Sequence, residues 1–129
     1  MKRIVVVEDQ ADIRRLIRWS LEEGGYQIFE AANGRLGLDA VRALRPDLLL
    51  LDVMMPGDLD GFQVCSTLRA DPAFAQLPIV LLTARAQQSD RNAGQQAGAS
   101  DYLVKPFSPM VLADTVERLL KARAPQSVQ

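Results

Sequence analysis

Five short apolar runs alternate with segments of helical pattern along the chain. The runs are RIVVV (3–7), YQIFE (26–30), LLLL (48–51), IVLL (79–82) and DYLV (101–104). The first, third and fourth runs lack the polar alternation of a half-exposed strand, as expected for strands covered on both faces. Strands that alternate with helices form parallel sheets flanked by helices on both sides. We therefore predict an α/β fold, a doubly wound sandwich of five βα units.

Helical spacing of apolar residues and clear end signals define the segments between these runs. Four apolar residues share one face of the first helix: Ile13, Leu16, Ile17 and Leu21. Gly24–Gly25 should end that helix, and the second is expected between Asn33–Gly34 and Pro46. A third runs from about Asp60 to Arg69, and the last begins at Ser108–Pro109, an N-cap followed by proline.

The segment AQQSDRNAGQQAG (86–98) should hold the fourth helix, yet it has no large apolar residue and has a glycine near its middle. Its alanines bury little area, so little hydrophobic free energy holds it to the sheet. We therefore expect the fourth helix to be the least stable one and to open readily.

The composition excludes several classes of protein. The chain has 129 residues, enough for one domain, with 15 basic and 16 acidic side chains, so no basic field favours nucleic acid or an anionic membrane. It has no histidine, which rules out a Ser-His-Asp enzyme or a histidine-ligated metal. Its one cysteine, Cys65, excludes an internal disulfide and is expected in the core. The N-terminal MKRIVVVED has too few apolar residues for a signal peptide or a membrane span, so a cytoplasmic location is expected.

Charged and polar side chains follow four of the predicted strands. Glu8 and Asp9 end the first, Asp52 the third, Thr83 the fourth and Lys105 the fifth. In parallel α/β sheets these strand ends meet at one edge, where ligands bind. Three carboxylates brought together repel one another unless they share a cation, and oxygen-only ligands favour Mg²⁺. With Lys105 and Thr83 as donors to a charged oxygen group, this set is suited to phosphoryl transfer.

Five segments, in order, resemble the receiver domain of bacterial two-component response regulators. They are VVVED (5–9), LLLLDVMMPG (48–57), DGF (60–62), IVLLTA (79–84) and DYLVKPF (101–107). The resemblance covers roughly residues 2–121. It implies a flavodoxin-like (βα)5 sandwich whose parallel strands lie in the order 2-1-3-4-5. We therefore expect a receiver domain over 1–123, followed by a flexible tail or the start of a linker over 124–129.

The resemblance also assigns roles to the acidic residues. Asp52 would be the phosphoacceptor, taking a phosphoryl group from a sensor histidine kinase, a histidine phosphotransfer protein or a small phosphodonor. Mg²⁺ would be held by Glu8, Asp9 and Asp52 and by the backbone carbonyl of Met54. The chain would thus be a regulatory domain that assists its own phosphorylation and dephosphorylation, and not an enzyme acting on a separate substrate.

Four further residues would connect this site to the surface. Lys105 would pair with the phosphoryl group, and its bond to Pro106 would be cis. Thr83 would move toward the phosphoryl oxygens, and Tyr102 would turn inward into the space that it leaves. The change would alter the face formed by the fourth helix, the fifth strand and the fifth helix. That face would control an unidentified output protein or effector domain, and it would also allow a phosphorylation-dependent homodimer.

The chain departs from the family pattern in one loop. Between Pro56 and Asp60 it has one residue more than is usual, with the acidic Asp58 inside the loop. The local geometry beside the metal site and the contact with a kinase there are therefore open, whereas the role implied for Asp52 is unaffected.

Other contacts are expected to be few. Balanced charge leads us to expect no direct contact with nucleic acid, and no contact with a membrane. Arg14, Arg15 and Arg18 on the first helix are interpreted as a solvated face, with contact to an acidic surface of a kinase as the alternative.

Three other functions are weighed against this one. A phosphatase with an aspartyl nucleophile would need a second acid two residues after Asp52, where the chain has Met54. A flavodoxin-like flavin binder would need a first loop rich in Ser, Thr or Gly, whereas EDQADIRR is acidic. A pseudo-receiver would share the fold and act only as an interaction module, without being phosphorylated.

Overall fold

The computed structural model describes the backbone of residues 1–84 and 88–123, and the side chains of all of these except 88–91 and 123. Five strands alternate with five helices. The strands are β1 (Arg3–Val7), β2 (Gln27–Ala31), β3 (Leu48–Asp52), β4 (Ile79–Thr83) and β5 (Asp101–Val104). The helices are α1 (Ala11–Ser20), α2 (Gly34–Leu44), α3 (Gly61–Arg69), α4 (Gln88–Ala97) and α5 (Pro109–Arg123).

The strands form one parallel sheet in the order β2-β1-β3-β4-β5, which confirms the predicted fold. Val7, the last residue of β1, lies between Ala31 of β2 and Leu51 of β3. Thr83, the last residue of β4, pairs with Val104 of β5. The strand ends are therefore level, and the order reverses between β1 and β3, which is where a ligand site is expected.

Two apolar layers cover the two faces of the sheet. Leu49 and Leu51 of β3 belong to the layer under α2, α3 and α4, whereas Leu48 and Leu50 belong to the layer under α1 and α5. All four leucines are 0% exposed, so the run LLLL is a strand buried on both faces, as predicted. Each such burial contributes about 1.5–3 kcal/mol. Cys65 is also fully buried and lies in the layer under α2, α3 and α4.

The start of α3 is tightly joined to the end of β3. Asp60 and Gln63 form a capping box, in which the Gln63 N–H donates to Asp60 Oδ1 at 2.9 Å and the Asp60 N–H donates to Gln63 Oε1 at 2.8 Å. Gly61 N–H then donates to the carbonyl of Val53 at 3.0 Å. A side chain at Gly61 would overlap the backbone of Asp52 and Val53, so only glycine allows this approach.

The first helix is shorter than its end signal predicted. α1 ends at Ser20, and a 3₁₀ turn over Glu22–Gly24 carries the chain to Gly25, which has a positive φ of 70°. Leu21 turns inward between the two and is 2% exposed. The glycine pair thus ends the 3₁₀ turn, and the prediction that the α-helix extends to it was wrong.

The fourth helix contributes small side chains to the core. Among its described side chains, Ala97 is 6% exposed and lies in the layer with α2 and α3. Gly94 lies over Leu81, because a Cβ there would be 3.2 Å from the Leu81 Cδ1. Residues 85–87, and with them the first part of the segment predicted to be helical, lie outside the described residues.

No helix within the described ranges combines the length and the apolar character needed to cross a membrane. The predicted tail over 124–129 lies outside the residues that the structure describes, so the proposed domain end at 123 stays a prediction.

Candidate functional site

Three side chains from β1, β3 and β5 meet at the carboxyl edge of the sheet. The ammonium Nζ of Lys105 lies 2.7 Å from Glu8 Oε1 and 3.2 Å from Asp52 Oδ1. Glu8 is 0% exposed and Asp52 is 3% exposed. Buried carboxylates are costly unless they are paired, so Lys105 is the partner that allows the buried strand β3 to end in an acid.

Burial raises the pKa of Glu8 to about 7. The hydrogen bonds that Glu8 accepts from Lys105 and from the Gln10 N–H act in the opposite direction, and the charge of Asp52 adds to the rise. Burial by itself lowers the pKa of Lys105, but its contacts with Glu8 and Asp52 together raise the pKa above its usual value. The site therefore holds its lysine protonated and carries one carboxyl group that titrates near neutral pH.

Glu8, Asp9 and Asp52 form an acidic group that fits a divalent cation. Each can offer one carboxylate oxygen, and these oxygens all lie within 4.8 Å of one another. Asp9 is exposed, so the group opens to solvent on one side. The three carboxylates can carry more negative charge than the one lysine neutralises. Such a set of oxygen ligands suits Mg²⁺, which keeps several waters and binds through a few carboxylates. The residues present thus fit the ion that the sequence predicted.

Met54 lies at the rim of this group. Its backbone N–H donates to Asp52 Oδ1 at 3.3 Å, and its side chain is exposed. Met54 is therefore held next to Asp52 by the backbone, on the same edge of the sheet. That its carbonyl is a metal ligand stays a prediction.

Thr83 and Tyr102 lie on the neighbouring strands β4 and β5. Thr83 is 4% exposed, and its carbonyl accepts from the Lys105 N–H at 2.6 Å. The hydroxyl oxygen of Tyr102 is buried, and the residue packs against the core layer under α2, α3 and α4. The switch roles of both residues, including the movement of Tyr102 into the space that Thr83 leaves, stay predictions.

The turn after β5 holds Lys105 at the edge of the sheet. The Lys105–Pro106 peptide bond is cis, as predicted. Ser108 Oγ accepts from the Met110 N–H at 3.2 Å and begins α5, as its position before Pro109 predicted.

The acidic residue of the longer loop, Asp58, pairs with α2. Asp58 Oδ2 lies 2.7 Å from Arg35 Nη2 of α2, and both side chains are more than half exposed. The hydrogen bond from Arg35 lowers the pKa of Asp58. Gly57 has a φ of 104°, a left-handed conformation that favours glycine. The added acid is therefore not part of the group formed by Glu8, Asp9 and Asp52.

One of the three arginines of α1, Arg14, differs from what the sequence predicted. Arg14 Nε lies 2.8 Å from Glu30 Oε1 of β2, and Arg18 Nε lies 2.7 Å from Glu30 Oε2. Arg14 Nη1 also donates to the backbone carbonyl of Glu8 at 2.6 Å. The side chain of Arg18 is 50% exposed, as expected for a solvated face, whereas that of Arg14 is only 20% exposed. The interpretation of Arg14 as solvated was wrong, because β2 at the edge of the sheet brings Glu30 beside α1. Arg15 is exposed, as predicted.

The family model of the response regulator receiver domain matches residues 4–117. Solved structures agree with it. A putative response regulator from Chloroflexus aurantiacus J-10-fl has a TM-score of 0.88 and 36% identity, with 93% of this chain and 98% of that chain covered. The chemotaxis protein CheY4 of Vibrio cholerae has a TM-score of 0.86 and 32% identity, with 92% and 98% covered.

Two relatives by sequence are longer proteins. The phosphate regulon transcriptional regulatory protein PhoB of Escherichia coli (strain K12) is 38% identical over 99% of this chain and 56% of its own length. The transcriptional regulatory protein ResD of Bacillus subtilis (strain 168) is 45% identical over 97% of this chain and 50% of its own length. The chain thus spans about half the length of these curated relatives.

These names overturn the expectation of no direct contact with nucleic acid. That expectation was wrong for proteins of this kind, because the relatives that share this domain are transcriptional regulators. It rested on the balanced charge of 129 residues, and charge balance in one domain carries no information about the other half of a longer protein. The ordered motifs, the 2-1-3-4-5 sheet and the acidic edge agree with the comparisons: this chain belongs to the family of response regulator receiver domains.

Proposed function

We propose that the chain is the phosphorylation-dependent switch of a two-component pathway, with Asp52 as the phosphoacceptor. The observation that carries the proposal is the position of Asp52. It is a buried carboxylate 3.2 Å from an ammonium group, beside two further acids at the switch point of the sheet. Membership of the receiver family supports the same role and favours it over the phosphatase and flavin-binding alternatives.

The phosphoryl group would come from a sensor histidine kinase or a histidine phosphotransfer protein. A carboxylate oxygen of Asp52 would attack the phosphorus of a phosphohistidine, so that an O–P bond forms while the P–N bond breaks. The electron pair of the broken bond stays on the imidazole nitrogen that leaves. Lys105 would stay charged during this step and would pair with the phosphoryl oxygens, because its ammonium already lies within 3.2 Å of the attacking group.

Mg²⁺ fits the acidic group, and Glu8, Asp9, Asp52 and the Met54 carbonyl would hold it. When bound, the ion would supply positive charge against the phosphoryl oxygens. Glu8 and Asp9 would orient it from β1, and Lys105 would move its contacts from the carboxylates to the phosphoryl group.

The output would arise where Thr83 and Tyr102 meet the site. Thr83 ends β4, and its carbonyl accepts a hydrogen bond from the Lys105 N–H. A shift of either residue would therefore also move β5 and the neighbouring helices α4 and α5. The face formed by α4, β5 and α5 would then change its contacts with a partner or with a second copy of the chain. The names of the relatives lead us to propose control of transcription as the final effect.

Intact mass after incubation with acetyl phosphate tests the proposal. The wild type should gain about 80 Da, one phosphoryl group, in the presence of Mg²⁺ and much less without it. Asp52→Asn should gain nothing, whereas Asp58→Asn should behave as the wild type, because Asp58 is the nearby loop carboxylate that pairs with Arg35. Absence of the mass gain together with absence of beryllofluoride binding would identify a pseudo-receiver and overturn the proposal.

A further inference from the structure

We propose that Arg14 is a positioning residue for the acidic group: its guanidinium fixes the backbone of Glu8 and, through it, the carboxylates of Glu8 and Asp9. This inference deepens the proposed function, and its functional consequence rests on Mg²⁺ binding at that site.

The guanidinium of Arg14 joins β2 to the end of β1. Its Nη1 donates to the Glu8 carbonyl at 2.6 Å, and its Nε donates to Glu30 Oε1 at 2.8 Å. The second oxygen of Glu30 accepts from Arg18 Nε at 2.7 Å, so the Glu30 carboxylate is held on both sides. Because the donors of a guanidinium are fixed in one plane, holding Nε on Glu30 directs Nη1 at the Glu8 carbonyl.

The turn that carries the acids is also joined to α1 through its last residue, where the Arg14 N–H donates to the Gln10 carbonyl at 3.1 Å. Gln10 is the N-cap of that helix, but its side chain makes no capping hydrogen bond. The Glu8 N–H donates to the Ala31 carbonyl at 3.0 Å, which fixes one side of the peptide chain. The Glu8 carbonyl lies just past the end of β1, and Arg14 supplies its donor. Arg14 therefore supplies a side-chain donor to the backbone of this turn, and that donor holds the carbonyl side of Glu8.

Position and charge predict opposite effects of removing Arg14. Its positive charge lies against the backbone of Glu8, one of the three acids, and by itself opposes a cation, so loss of the charge alone would tighten Mg²⁺ binding. Loss of the anchor would let the turn over 8–10 move, and the exposed Asp9 has its place set by that backbone. Metal ligands need supporting hydrogen bonds to keep their geometry. We infer that the positioning effect is the larger one.

Isothermal titration with Mg²⁺ separates the two effects. Arg14→Met should weaken Mg²⁺ binding about tenfold, the lower end of the range for residues that support metal ligands. Arg14→Lys should recover only part of that loss, because an ammonium keeps the charge but lacks the planar fork. Arg18→Met is the matched control: it removes the same charge and a bond to the same Glu30, but Arg18 does not contact Glu8, so the affinity should stay within about twofold of wild type. Unchanged or tighter binding by Arg14→Met would overturn the proposal.

Amide exchange in the metal-free protein gives a second readout that does not depend on Mg²⁺. The N–H groups of Glu8 and Gln10 should exchange faster in Arg14→Met, and they should keep their wild-type rates in Arg18→Met. Urea unfolding shows that each variant is folded. If the wild type bound no Mg²⁺, the metal site in the proposed function would be refuted. The exchange rates would still decide whether Arg14 holds the turn. Equal amide exchange rates in the wild type and all variants would contradict the positioning role of Arg14.

Discussion

Lys105 Nζ lies 2.7 Å from Glu8 Oε1, although β5 and β1 are separated in the sheet by β3 and β4. The lysine side chain extends across the strand ends, and its Nζ also lies 3.2 Å from Oδ1 of Asp52, at the end of β3. One cation therefore serves two buried carboxylates.

Stability of the metal-free protein should fall between pH 5 and pH 8 because of Glu8. Its pKa is raised from 4.5 to about 7 in the folded state, so the folded protein retains a proton that the unfolded chain loses. The stabilisation is complete below pH 4.5 and is lost as the pH rises through 7, by at most about 3 kcal/mol. Urea unfolding of wild type and Glu8→Gln measures this, and the variant should lack the pH slope.

The pH window and a control variant isolate the contribution of Glu8 to this pH dependence. The raised pKa values of Tyr26, Cys65 and Lys105 affect stability only above this pH window, and the lowered pKa of Glu30 affects it only below. Glu23→Gln changes an exposed glutamate on the 3₁₀ turn and should keep the wild-type slope. A slope of wild-type size in Glu8→Gln would contradict the prediction.

Lys105→Met should bind Mg²⁺ more tightly than the wild type. The substitution removes the positive charge that lies between Glu8 and Asp52, so a cation meets less repulsion and more uncompensated negative charge. Without metal the same variant should be less stable at pH 8, because two buried carboxylates lose their partner. Melting temperatures with and without Mg²⁺ measure both effects. Lys121→Met, which removes an exposed lysine on α5 paired with Glu117, serves as the control, and weaker Mg²⁺ binding by Lys105→Met would refute the prediction.

Gly61→Ala should cost about 1–3 kcal/mol of stability, the usual cost of forcing atoms into a packed region. The added methyl group would overlap the backbone of Asp52 and Val53, which can yield only by moving the end of β3. The variant should therefore also take up phosphate from acetyl phosphate more slowly. Gly94→Ala is the comparison, because its methyl group would meet the ends of the Leu81 and Phe62 side chains and no backbone atom within 4 Å, and alanine favours a helix. Urea unfolding that ranks the two variants equally would speak against this account.

The fourth helix should exchange its amide protons faster than α5 in the protein without phosphate. Its described side chains bury little, whereas Leu112 and Val116 of α5 are both 0% exposed. Phosphorylation should slow exchange over 88–96, because the face beside β5 becomes ordered. Hydrogen exchange with mass detection measures this in both states. Equal and strong protection of 88–96 with and without phosphate would show that the helix is not part of the switch.

The strands and most helices could be predicted because their signals are local. The run LLLL indicates burial on both faces, and Ser108 before Pro109 indicates an N-cap, which the structure confirms through the hydrogen bond that it accepts from the Met110 N–H. The structure shows Asn33 and Asp60 as further N-caps, near the starts expected for the second and third helices. The end of α1 could not be predicted in the same way. Leu21 keeps the buried position that its place on the apolar face predicts, and a 3₁₀ turn over Glu22–Gly24 follows it. The glycine pair therefore marks the end of a helical stretch but not which kind of helical turn precedes it.

The sequence by itself determined the order of strands and helices and the set of residues at the carboxyl edge. Periodicity and turn residues act over a few positions, and a parallel sheet brings its strand ends together whatever its details. Only the tertiary structure decided which of these groups pair. Lys105 joins Glu8, Arg14 joins Glu30 and the Glu8 carbonyl, and Asp58 turns to Arg35. These contacts depend on register and on the packing of helices against the sheet, and such relations join residues far apart in the chain.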